Sequence, residues 1–150
     1  MMLRASIILS GLMAFSANAS IEDAFEQLNT QTAICQQNES SLKTVEDSWL
    51  LSLDDDSLKI ALLMLKDSAL RKCVAEQEKE YLYEIYLVYQ QTGNRQPLDA
   101  YLGLMENRVI SLHQEIVTEE FLDEIKRLSS TELFSNTFDV LDEFKKIRSE

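Results

Sequence analysis

LKIALLMLKDSALRKCVAEQEKEYLYEIYLVYQQ, residues 58–91, runs for 34 positions without a glycine or a proline. That run decides the fold class. The whole chain of 150 residues holds three glycines and one proline, and a β-sandwich or barrel of this length needs many tight turns, where those two residues concentrate. Helices joined by polar loops need neither. The expected architecture is all-α, a single compact helical domain of about five to seven helices. As one unbroken helix the quoted run would extend about 51 Å, against a radius of gyration of about 14 Å for a compact chain of this size. A bend or break near 68–75 is therefore expected, or else a helix that protrudes from the body. The second half of the run, 81–89, is apolar nearly all round and reads as a central bundle helix, since no partner strand is visible elsewhere.

C-terminal to this run, Thr92-Gly93-Asn94 is a turn, and Pro97 suits the first turn of the next helix. Leu98, Leu102, Met105, Val109, Leu112 and Ile116 then form one almost continuous helical stripe. Thr118 and the glutamates after it suit a further helix start, with Phe121, Ile125 and Leu128 inward. A last helix is expected to bury Phe134, Phe138, Leu141 and Phe144, with Lys145, Lys146 and Arg148 at its C-terminal end. On the N-terminal side, Ile21, Ala24, Phe25, Leu28 and Cys35 recur at helical spacing, and a short second helix carries Leu42, Val45, Trp49 and Leu53. Asp54-Asp55-Asp56-Ser57 reads as a helix cap, because an EF-hand loop needs a glycine and a distant glutamate at fixed offsets.

The chain opens on a leader. Arg4 supplies a positive n-region, residues 5–15 an apolar core, and Ala17-Asn18-Ala19 the small residues of a cleavage site. Residues 1–19 are expected to be removed as a signal peptide, leaving an acidic all-helical domain over 20–150 in the periplasm or outside the cell. The apolar core is too short for a membrane span, and no later run is apolar and long enough for one. On a eukaryotic secretory route, Asn38-Glu39-Ser40 would be a glycan acceptor.

An exported chain with two cysteines is most simply read as holding one disulfide, Cys35 to Cys73, because an oxidising compartment traps paired thiols. Closing that loop contributes about 4 kcal/mol in the chain-entropy model. Neither sulfur sits in a nucleophile motif or a CxxC pair, and two cysteines with one histidine make no recognised zinc set.

The chain carries 26 acidic and 14 basic residues, a net charge of −12, which becomes −13 once Arg4 leaves with the leader. A surface of that sign repels nucleic acid and anionic lipid and favours cationic partners. No GxSxG, HExxH, GxGxxG or phosphate-cradling glycine loop is present. The sole histidine, His113, has Ile110 where a Glu-x-x-His iron site would need glutamate, and it reads as a helix-flank residue. No metal, no cofactor and no catalytic residue is expected. Tyr81, Tyr83, Tyr86 and Tyr89 crowd one segment, and a helical wheel turns Tyr83 away from Tyr81 and Ile85. Tyrosine is enriched at interfaces. The expected interface residues are therefore Tyr83, Glu84 and Tyr86, joined by the acidic Glu119, Glu120 and Asp123.

In composition alone the chain resembles the small, acidic, disulfide-linked immunity proteins of the periplasm; no motif carries the resemblance and it transfers no residue. The expected function is a non-enzymatic protein-binding module, such as an inhibitor, immunity or secretion-accessory protein, whose partner is basic. Two alternatives stand beside it. One is a carrier with an apolar pocket bounded by Leu63, Met64, Tyr86 and Met105, and the other an enzyme whose carboxylates, with or without a metal, converge on one cleft.

Overall fold

Asp54 caps the longest element by accepting hydrogen bonds from the backbone N–H groups of Asp56 (3.1 Å) and Ser57 (2.9 Å). From that cap, in the computed structural model, which describes residues 13–105 and 108–149, one helix runs unbroken to Thr92. It is stopped by Gly93, whose φ of 71° is left-handed and whose N–H donates to the Tyr89 carbonyl at 2.8 Å. Its 38 residues extend about 57 Å. The break expected at 68–75 does not occur, and the alternative holds: the helix leaves the core and continues as an arm.

The elements in chain order are α1 (Met13–Gln37), α2 (Ser48–Ser52), the long α3 (Asp55–Thr92), α4 (Gln96–Met105), α5 (Arg108–Leu112), α6 (Glu119–Ser129), a 3-10 turn (Glu132–Phe134) and α7 (Val140–Ser149). The described residues contain no strand, so the all-α reading is correct. Of the leader, residues 1–12 lie outside the described residues, and 13–19 form the opening turns of α1. No helix among the described residues is long and apolar enough to cross a membrane.

The two halves of α3 are buried differently, and composition explains why. Leu58, Ile60, Ala61, Leu62, Met64 and Leu65 point nearly all round the helix, and all are buried against Val117, Phe121, Ile125, Leu128, Phe134, Phe138 and Ile147. Beyond Ala69 only Val74, Ile85 and Val88 are buried, a stripe narrow enough for two neighbours to cover. Those neighbours are α1 and α4. Helix α1 runs antiparallel to the arm, with Cys35 bonded to Cys73 and the Phe25 ring tilted against Tyr81, their centres 5.4 Å apart. Helix α4 returns along the other side, where Tyr101 meets Tyr81 at 6.1 Å and Arg71 donates to Met105 Sδ at 3.3 Å. Packing on both flanks through residues 71–81 supports the segment where a bend was expected.

Four sequence expectations need correcting. The helix expected over Leu42 to Leu53 shrinks to the five residues of α2, because Ser40 N–H donates to the Thr137 carbonyl and Leu42 N–H to the buried carboxylate of Glu143. Those bonds hold the preceding segment against the C-terminal region in place of helical hydrogen bonds. The stripe from Leu98 to Ile116 is not one helix, since α4 ends at Met105 and α5 is short. Leu102 and Leu104 of α4 and Leu112 of α5 are exposed, α4 packing chiefly on α3 among the described residues. Of the last apolar set, Phe134 and Phe138 are fully buried, but they precede α7, which buries Ile147 and Glu143 while Leu141 is 64 % exposed. A new start at Val140 resets the register, so the four residues never share a face. In α1, Phe25 is half exposed, because it lies along the flank of Tyr81 instead of facing a core.

Candidate functional site

The site is built on the α1–α3 pair. Cys35, buried, and Cys73, at the surface, form the disulfide with an S–S distance of 2.02 Å and Cα atoms 6.2 Å apart, within the range such bonds need. The expected pairing is correct. The Gln31 amide lies 3.4 Å from Cys35 Sγ, and Thr137 donates its hydroxyl to the Cys35 carbonyl at 2.5 Å. The base of the arm is thereby tied both to α3 and to the segment before α7. Three aromatic rings, Phe25 of α1, Tyr81 of α3 and Tyr101 of α4, stitch the arm helices together further out.

Between α1 and α3 a groove opens on the arm. Its outer part, about 670 Å³, is lined by Ser20, Asp23, Gln27, Glu76, Glu80, Tyr83 and Glu84, with Lys79 as its one cation. Its inner part, about 470 Å³, shares Asp23 and Gln27 and adds Glu26, Thr30, Gln31 and Gln77. The walls are thus carboxylate-rich and the end nearest the disulfide is lined by amides. Tyr83, 59 % exposed, stands at the outer end, and Tyr86, 54 % exposed, continues the aromatic surface around α3. Helical spacing accounts for this. Ile85 and Val88 turn inward between α1 and α4, leaving the opposite face of α3 to Tyr83 and Tyr86.

Of the six interface residues expected from sequence, Tyr83 and Glu84 line the groove together, while Tyr86, two positions after Glu84, is exposed on another side of α3. Glu119, Glu120 and Asp123 are exposed on the first turns of α6, whose buried face packs on the other half of α3. The far end of α6 reaches Lys72, which donates to the Ser129 carbonyl. Lys72 itself is about 16 Å along α3 from Tyr83. The two acidic sets are therefore separate patches. Asp23, Gln27, Glu76 and Glu80 were missed by reading single helices. The recurrence of Glu76, Glu80 and Glu84 at every fourth position was visible in sequence, but only the pairing of α1 with α3 makes a groove of it.

His113 follows α5, half exposed, with Nδ1 4.0 Å from Glu115 Oε1. Among the described residues no three His, Cys, Asp or Glu side chains gather as a group that could hold a metal ion. Leu63 is exposed and Met64 buried, and both are about 33 Å along the unbroken α3 from Tyr86, so these residues do not bound one cavity with Met105. Tyr101 is held by α3: its hydroxyl donates to Glu78 Oε1 at 2.8 Å, and burial, followed by that hydrogen bond, pushes it up to about 12. The chain matches no protein-family model, no curated protein and no solved structure.

Proposed function

We propose that the protein is an exported, non-enzymatic binding module, periplasmic or secreted, that docks a basic protein through the acidic, tyrosine-bearing side of its arm. The observation that carries this reading is the exposure of Tyr83 and Tyr86 on a helix beside a groove where Asp23, Glu76, Glu80 and Glu84 face one cation, Lys79. Apolar area set in a charged border is the anatomy of an interface, with an aromatic anchor desolvated at the centre and charge setting partner choice at the rim. The disulfide agrees with an oxidising compartment. An inhibitor, an immunity factor and a secretion accessory all fit this description.

Site-specific photo-crosslinking in the native compartment tests the reading. A benzophenone side chain at position 83 should trap a discrete protein of basic surface, and one at Glu119 should not. Association measured with that protein should slow as salt rises, because the Debye length shrinks from about 10 Å at 0.1 M to about 3 Å at 1 M. No adduct at position 83, or an acidic partner with salt-independent association, refutes it.

A further inference from the structure

The geometry points to a specific occupant: we infer that the α1–α3 groove seats a single basic amphipathic helix of the partner, laid along the arm as an additional helix. This rests on the binding-module reading above and names the form of the ligand.

The electrostatics of the groove wall are incomplete. Glu76, Glu80 and Glu84 recur every fourth residue of α3 on the groove wall, which places the carboxylates about 6 Å apart in one row. Like charges at that spacing destabilise a helix. Lys79 pairs with Glu76 at 3.9 Å, while Glu80 and Glu84 have no ion-pair or hydrogen-bond partner among the described residues. Asp23 adds a further carboxylate from α1. Cations at every fourth position of a second helix match this row turn for turn.

Shape and hydrogen bonding select a helix over an extended peptide. Both walls are helices whose backbone groups are already paired internally, so the groove offers no open edge to a strand, whereas an entering helix satisfies its own backbone. From Gln31 to Ser20 the groove follows α1 for about 16 Å, or three helical turns. Thr30, Gln31 and Gln77 meet polar side chains at the inner end, and Tyr83 supplies an apolar anchor at the outer end. A second copy of this chain is a poor occupant, since each carries a net charge of −12.

The test uses a fluorescent peptide of about 18 residues, long enough to form helix, with lysines at i, i+4 and i+8 beside leucines. Anisotropy is read against the oxidised protein at low salt. Saturable binding is expected, weakened about tenfold by Glu80→Gln with Glu84→Gln and by Tyr83→Ala, and less than about twofold by Glu119→Gln with Glu120→Gln. A peptide of equal charge carrying two central prolines, which cannot be helical, should bind at least about tenfold more weakly. Circular dichroism confirms that each variant folds. Equal binding of the proline peptide, equal loss from the α6 variant, or no binding overturns the helix seat. A partner cross-linked at position 83 alongside any of those results leaves the binding module standing without the helix, whereas groove binding of the peptide with no cross-linked partner leaves the seat and removes the module.

Discussion

The hydroxyl of Tyr101 donates to Glu78 Oε1 at 2.8 Å while its ring meets Tyr81 at 6.1 Å. Since Tyr101 is the one buried side chain described in α4, this contact holds α4 on the arm.

Tyr101→Phe leaves the Glu78 carboxylate without its donor and should lower stability by about 1 kcal/mol near neutral pH. The pH dependence follows from the raised hydroxyl, about 12 when folded against 10.0 otherwise. An acid whose folded value is raised binds more protons folded than unfolded, so its contribution is complete below pH 10 and is lost as pH rises from 10 toward about 12. Urea unfolding at about pH 8 and about pH 11 should show a steeper loss for the wild type than for Tyr101→Phe. Equal losses would mean that the Tyr101 hydroxyl is not raised by burial and Glu78 in the folded protein.

Replacing Cys35 and Cys73 together by serine should cost up to about 4 kcal/mol, because the bond closes a loop in the unfolded chain. Thiol titration of the unfolded, unreduced protein from its native compartment should find no free thiol. Two free thiols would contradict the bond seen here.

Asp47 caps α2 through Trp49 and Leu50 N–H, both at 3.1 Å, and pairs with Arg127 at 2.9 Å. Burial pushes its carboxyl up, but the Arg127 hydrogen bond, that charge and the two backbone donors together hold it below 3.8. A depressed carboxylate stabilises the fold above its unfolded value, and the contribution disappears as pH falls through the folded one. Asp47→Ala should cost about 1 kcal/mol at neutral pH, and the gap from wild type should close in acid. A gap that persists at low pH would assign the loss to packing.

Phe138→Ala should destabilise by about 3–5 kcal/mol and Leu141→Ala by no more than about 0.5 kcal/mol, because Phe138 is fully buried and Leu141 is not. Chemical denaturation of the two variants checks whether the register resets at Val140. Comparable losses would restore a continuous last helix.

How much was legible divides along a physical line. Local patterns needed no partner. Asp54 as a cap, the turn at Gly93, Thr118 opening α6 and Phe121, Ile125 and Leu128 facing inward all follow from backbone groups and periodicity within one turn or two. The disulfide was legible because two cysteines admit one pairing. The exposure of Tyr83 followed from its angle to Ile85 on the same helix.

Only the tertiary structure decided what depends on neighbours distant in the chain. An unbroken α3 is stable as an arm because α1 and α4 cover its narrow apolar stripe, and no pattern within 58–91 says which segments will do so. The Leu42 segment is held by Glu143, 101 residues away, and Cys35 by Thr137, 102 residues away. Glu80, Glu84 and Tyr83 were present in the sequence as side chains of one helix; they became the wall of an acidic groove when Asp23 and Gln27 of α1 were brought opposite them. A single helix can show which face is polar, but a groove exists only between two.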